Sequence, residues 1–150
     1  MNLLITGGAG FIGANLVLHW LHNHPDDVVI NFDALTYAGN LENLQEVKTH
    51  PNYRFVLGDL RKPLDISVAF SEHNVDAVIH LAAESHVDRS IHGPTDFIET
   101  NITGTFNLLE TALKFWGAEL SAHRFLHVST DEVYGSLGSE GKFSESTAYA

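Results

Sequence analysis

Leu3-Leu4-Ile5-Thr6-Gly7-Gly8-Ala9-Gly10-Phe11-Ile12-Gly13 stands near the start of the chain and decides how the rest is read. Three apolar residues make a short strand. Glycines follow at 7, 10 and 13, a G-x-x-G-x-x-G spacing. Phe11 to His24 then takes up helical periodicity, with Phe11, Ile12, Leu16, Leu18 and Leu21 apolar, and Pro25-Asp26-Asp27 stops it. In a strand–turn–helix each glycine has a physical role. Gly7 permits the tight turn, Gly10 lets a pyrophosphate approach the backbone, and Gly13 lets helix and strand pack closely. The helix N-terminus adds N–H donors and positive potential for phosphates.

The same alternation continues outward. Val28 to Phe32, Tyr53 to Leu57, Ala77 to Leu81 and Phe125 to Val128 read as further strands. Between them, helices are expected over Leu41 to Lys48, Leu64 to His73 with Pro63 suited to the first turn, and one long stretch from about Pro94 to Trp116. Strands apolar throughout are expected to be buried on both faces, as in a parallel sheet. Regular β-α-β order predicts an α/β class, a doubly wound parallel sheet of Rossmann type. The tail from Ser136 to Ala150 is rich in Gly, Ser and Glu and reads as a loop. Such folds usually carry more strands than five, so residues 1–150 are expected to be an incomplete dinucleotide-binding domain, the N-terminal part of a larger protein.

Composition narrows the chemistry. The 150 residues contain no cysteine, which excludes disulfides, thiolate zinc sites and a cysteine nucleophile. A net charge of −11 with only eight Lys plus Arg argues against nucleic acid and anionic membranes as partners. Ten histidines invite a metal reading, but His19, His22 and His24 lack ligand spacing, so no metal is expected. No signal peptide or membrane-length apolar run is evident, and a cytoplasmic location is the default expectation.

Asp33 closes the second strand twenty residues after Gly13. A carboxylate there can accept from the adenosine ribose hydroxyls and would repel a 2′-phosphate, which favours NAD over NADP. The plainer alternative is a strand-end turn residue. Asp59, after the third strand, is placed to meet the adenine. Leu81-Ala82-Ala83, ending the fourth, offers small residues where a cofactor would lie against backbone. After the fifth strand comes Ser129-Thr130-Asp131-Glu132-Val133-Tyr134-Gly135. Asp131 and Glu132 are adjacent carboxylates, and ionising one disfavours ionising the other, so one can serve as acid and the other as base. The plainer alternative is an N-cap Asp and a solvated Glu.

Together these segments resemble the extended short-chain dehydrogenase/reductase family, most closely its dTDP-glucose 4,6-dehydratase group. The first carrier is the glycine stretch. The others are Asp33-Ala34-Leu35-Thr36-Tyr37-Ala38-Gly39-Asn40-Leu41, Leu81-Ala82-Ala83-Glu84-Ser85-His86-Val87-Asp88-Arg89-Ser90, Asn101-Ile102-Thr103-Gly104-Thr105 and the Thr130-Asp131-Glu132 stretch. The resemblance implies that Phe11, Ile12, Asp33, Ala34, Leu35, Thr36, Asp59, Leu60, Leu81, Ala82, Ala83, Glu84, Ser85 and Thr100 line an NAD site. It implies that Ser85 and Thr130 hold the glucosyl ring, Glu132 removes the C5 proton and Asp131 protonates the departing 6-hydroxyl. The implied product is a 4-keto-6-deoxy sugar, and the implied assembly is a homodimer formed partly by the long helix.

One element of that family's pattern is not in these residues. Tyr134 has Gly138 at the fourth position after it, and Tyr149 has none, so no Tyr-x-x-x-Lys pair occurs. The pair is expected beyond Ala150, and the chain by itself is expected to be inactive. The open alternatives are a UDP-sugar 4-epimerase, a dehydratase for another nucleotide sugar, and an NAD-binding module without chemistry.

Overall fold

The structure is a computed structural model that describes residues 1–86, 90–91 and 93–150. Val87, Asp88 and Arg89, quoted above in the fourth-strand stretch, lie outside the described residues. Five strands form one sheet: β1 (Asn2–Thr6), β2 (Val28–Asp33), β3 (Tyr53–Leu57), β4 (Ala77–His80) and β5 (Arg124–His127). Every pairing is parallel, and the order is β3-β2-β1-β4-β5. The helices are α1 (Phe11–Asn23), α2 (Pro63–His73), α3 (Pro94–Phe97) and α4 (Thr105–Trp116). The expected doubly wound architecture is therefore present.

Alternation along the strands sorts their side chains onto two faces. Leu3, Ile5, Val29, Ala77 and Ile79 pack with Val17 and Leu21 of α1 and with Leu44 and Val47. Leu4, Ile30, Phe32 and Val78 pack with Ile66 and Phe70 of α2 and with Leu108, Ala112 and Trp116 of α4. Trp116 also donates its indole N–H to the Val75 carbonyl at 2.8 Å, tying the end of α4 to the turn before β4.

Three details differ from the sequence expectation. Leu41–Val47 is 3₁₀ rather than α, capped by the Asn40 side chain, which accepts from the Glu42 N–H at 3.0 Å. The expected single helix from Pro94 to Trp116 is interrupted by a π-helical stretch, Ile98–Gly104. There Gly104 is buried, and a Cβ on it would stand 2.9 Å from the Leu60 side chain, so the wider turn accommodates a close approach. The third difference is β5, expected to be a buried strand. It is an edge strand with β4 as its neighbour. Arg124, Leu126 and His127 are exposed, and Phe125 is half-buried. The apolar run records strand propensity and a preference for cover; Phe125 packs against the core, while Leu126 and Val128 stay exposed. The long helical run is similarly open, with Ile98, Ile102, Phe106, Leu109 and Leu113 exposed.

Candidate active site

Because all strands are parallel, every residue that follows a strand lies along one edge of the sheet. Read across the strand order, that edge carries Asp59 after β3, Asp33 at the end of β2, the glycine turn after β1, Leu81–Ser85 after β4 and Thr130–Glu132 after β5. Chain order reverses between β1 and β4, the switch point at which open α/β sheets form a crevice. At about 4.8 Å per strand, the edge spans roughly 19 Å from β3 to β5.

The glycine turn is built as its spacing predicts. Gly7 has φ +71°, and its N–H donates to the Phe32 carbonyl at 2.9 Å. A Cβ on Gly7 would stand 2.8 Å from the Cα of Ala82, so β1 and β4 leave no room there. A Cβ on Gly13 would collide with the Gly7 carbonyl oxygen. Gly10 differs: its open side would give a Cβ only the Gly7 oxygen, at 3.3 Å. Gly10 is also the N-cap of α1, with no side-chain cap and no acidic residue in the first turn. The first N–H groups of α1 therefore have no side-chain cap. Phe11 and Ile12 flank them, both exposed. This cradle fits a pyrophosphate.

Asp33 is buried, and its carboxylate links two loops. Oδ2 accepts from the Ala9 N–H at 2.9 Å and Oδ1 from the Leu35 N–H at 2.8 Å. Each oxygen keeps a second lone pair for another donor. Asn40 donates its backbone N–H to the Ala9 carbonyl at 2.9 Å, so the segment holding Ala34, Leu35 and Thr36 folds against the glycine turn. That docking has no signature in the spacing. Gly8 has another cause: a Cβ there would strike the side chain of Asn31, buried in β2.

Asp59 is held by Arg61, which donates from Nε to both carboxylate oxygens at 3.0 Å and from Nη2 at 2.7 Å. The Arg61 hydrogen bonds keep the Asp59 carboxyl below the usual carboxylate range. Arg61 also faces Asp96 and Glu99 at 3.9 and 3.8 Å, joining this corner to the helical run. Leu60 is buried beneath it. Sequence reading passed over Arg61, although an Arg two residues from a strand-end Asp is the available signal.

Leu81, Ala82 and Glu84 are half-buried, while Ala83 and Ser85 are exposed. The Asn101 side chain grips this segment: its Oδ1 accepts from the Glu84 N–H, and its Nδ2 donates to the Glu84 carbonyl, both at 2.8 Å. Thr100, half-buried, precedes it in the π-helical stretch.

Thr130, Asp131 and Glu132 are all exposed. Asp131–Tyr134 forms a 3₁₀ turn, and its cap is Thr130 rather than Asp131: the Thr130 hydroxyl accepts from the Glu132 N–H at 3.3 Å. With Thr130 as cap, neither carboxylate is consumed in capping. The tail folds back here, with Tyr149 stacked on Tyr134 at 5.5 Å and Ala150 donating its N–H to the Val133 carbonyl.

The family profile of GDP-mannose 4,6 dehydratase matches residues 4–150. The chain belongs to this family. Within it, a dTDP-glucose 4,6-dehydratase of Escherichia coli is 53% identical over 98% of this chain. Among solved structures, the dTDP-glucose 4,6-dehydratase DesIV of Streptomyces venezuelae, with NAD and a dTDP-type ligand bound, superposes with TM-score 0.88 at 47% identity over the whole chain. A UDP-glucose 4-epimerase of Thermus thermophilus in complex with NAD gives TM-score 0.85 at 29% identity, also over the whole chain. The chain spans 41%, 45% and 44% of those three proteins. As a member of this family it is a homologue of the dTDP-glucose 4,6-dehydratases, and it corresponds to their N-terminal part. No helix among the described residues is long and apolar enough to cross a membrane.

Proposed function

We propose that this chain is the NAD-binding portion of an enzyme that dehydrates dTDP-glucose to dTDP-4-keto-6-deoxy-glucose. The observation that carries the reading is the order along the sheet edge. Asp59, Asp33, the glycine turn, Leu81–Ser85 and Thr130–Glu132 follow one another across neighbouring strands. A dinucleotide laid along that edge, with its ribose at Asp33 and its pyrophosphate at Gly10, has its far end beside β4 and β5. Bound NAD would supply hydride acceptance from C4 of the sugar and hydride return at C6, the 4-hydroxyl proton passing to the tyrosine of the family's Tyr-x-x-x-Lys pair.

The protein's own residues account for the elimination between those events. Ser85 and Thr130 hold the hexose by their hydroxyls. Glu132 takes the C5 proton, acidified by the adjacent C4 ketone. Asp131 donates a proton to the 6-hydroxyl, which leaves as water. One proton is gained by Glu132 and one lost by Asp131, so the pair must start in opposite protonation states. Holding sugar and carboxylates in one geometry is the positioning contribution. Among the solved structures, the identity of 47% to a dehydratase, against 29% to an epimerase, favours dehydration over epimerisation. The exposed apolar side chains of α4, Phe106, Leu109 and Leu113, favour a homodimer through the helical run.

The test is turnover of dTDP-glucose in heavy water by the whole enzyme carrying this chain. A 6-deoxy product with deuterium at C5 is expected; recovery of a galactose isomer would favour the epimerase instead. Glu132→Gln should still oxidise C4 but stop before loss of water. Unchanged turnover by that variant removes Glu132 from its role.

A further inference from the structure

His80 lies in β4, 1% exposed, at the centre of a hydrogen-bond chain that reaches both sides of the crevice. Its Nδ1 is 2.6 Å from the Thr6 hydroxyl and its Nε2 is 2.9 Å from the Thr105 hydroxyl. The neighbours settle the direction of each bond. Thr105 donates to the Asn101 carbonyl at 2.7 Å, so it must accept from His80, and Nε2 carries the proton. Nδ1 is then the acceptor, and Thr6 donates to it. The Thr6 oxygen in turn accepts from the N–H groups of Leu81 and Ala82, both at 3.2 Å. Its proton and both lone pairs are used. A second proton on the ring would point at an oxygen with no lone pair left.

Each end of this chain touches a part of the site. Thr6 immediately precedes Gly7 of the turn. Leu81 and Ala82, held by the same hydroxyl, begin the segment after β4. Thr105 follows the π-helical stretch whose Asn101 grips Glu84, and Ser85 is the next residue. Around the ring stand Thr6 from β1, Thr105 from α4, and Phe125 and His127 from β5, with the two histidine rings 5.1 Å apart. Burial first, and then the nearby His127, lower the His80 pKa to about 4, which keeps the ring neutral near pH 7.

We propose that His80, as the neutral Nε2–H tautomer, is a positioning residue that holds the glycine turn and the Leu81–Ser85 segment in one geometry for the dinucleotide. The proposal rests on the NAD reading above. His80 acts through Thr6 and Thr105 and touches no ligand itself.

Three variants and the unchanged protein, each as the whole enzyme carrying this chain and titrated with NAD, test it. His80→Asn puts an amide oxygen near the Nδ1 position and keeps the Thr6 bond. His80→Gln reaches the Nε2 position and keeps the Thr105 bond. Thr105→Val leaves the histidine in place and carries the test if both His80 variants fail to fold. Thr105→Val, which removes both the His80 bond and the bond to the Asn101 carbonyl, should weaken NAD binding about threefold to tenfold. His80→Gln should weaken it more than His80→Asn, because Thr6 adjoins the glycine turn. Long-range proton–nitrogen NMR of the unchanged protein at pH 7 should show the Nε2–H tautomer. Folded variants with unchanged NAD affinity, or an Nδ1–H ring, would overturn the proposal alone. No NAD binding by the unchanged protein would overturn the cofactor reading and this proposal with it.

Discussion

Asp33 accepts a 2.9 Å hydrogen bond from the backbone N–H of Ala9, joining the end of β2 to the glycine turn. With its other oxygen on the Leu35 N–H, the carboxylate satisfies two backbone donors that no other described side chain reaches. An amide of the same shape has only one acceptor oxygen. Asp33→Asn should therefore turn an NH₂ toward one of these donors and cost about 1–3 kcal/mol of stability. NAD affinity should fall by about tenfold or more, since a charged acceptor for the ribose is lost as well. Urea unfolding and NAD titration read the two effects; a variant unchanged in both would contradict the assigned role.

Gly13 packs its Cα against the carbonyl of Gly7, where a methyl group cannot fit. Gly13→Ala should push α1 away from β1 and cost about 1–3 kcal/mol, the usual range for overpacking. Its signature is a lower urea midpoint together with weakened NAD binding. Gly138→Ala, at a site with open space around it, is the matched control and should change neither.

The buried His80 makes stability depend on pH with a definite sign. Its pKa in the folded chain is lowered from 6.5 to about 4, so the unfolded chain binds the proton more readily. Above pH 6.5 both states are neutral and the full stability is present. As pH falls from 6.5 to about 4, stability is lost, by about 3 kcal/mol from this group. Below that window the loss levels off. Denaturant unfolding at several pH values should show this slope, and His80→Gln should flatten it. Equal slopes in the two proteins would remove His80 as the cause.

Arg61 and Asp59 make a part-exposed bidentate pair, with side-chain exposures of 38% and 17%. Surface pairs are worth about 0–1 kcal/mol, so Arg61→Met should barely move the urea midpoint. Binding should respond differently. If the pinned Asp59 carboxylate meets the adenine, freeing it should weaken NAD severalfold while leaving nicotinamide mononucleotide, which has no adenine, unaffected. Equal losses for both ligands would place Arg61 elsewhere in the site's chemistry.

Local spacing made much of this protein legible. The step from Leu3-Leu4-Ile5 to Gly7, Gly10 and Gly13 encodes a strand, a turn and a helix within a dozen residues. Asp33 was readable because its strand and its distance from Gly13 are both local patterns. The π-helical stretch was not readable, because its composition is compatible with an ordinary helix. Within it Gly104 meets Leu60, a residue far away in sequence. The exposure of β5 was equally hidden, since an apolar run reports a preference for burial and not the cover it finds.

By itself, then, the sequence determined the α/β alternation, the glycine turn and the set of side chains gathered at the strand ends. Each follows from periodicity and backbone sterics over short spans. Tertiary structure alone decided how those pieces are held to one another. Thr6 and His80 are separated by 74 residues, and His80 and Thr105 by 25. They meet because β4 pairs with β1 and the helical run crosses beside it. Hydrogen-bond direction then follows from which neighbours each hydroxyl already serves, and no run of residues along the chain records that.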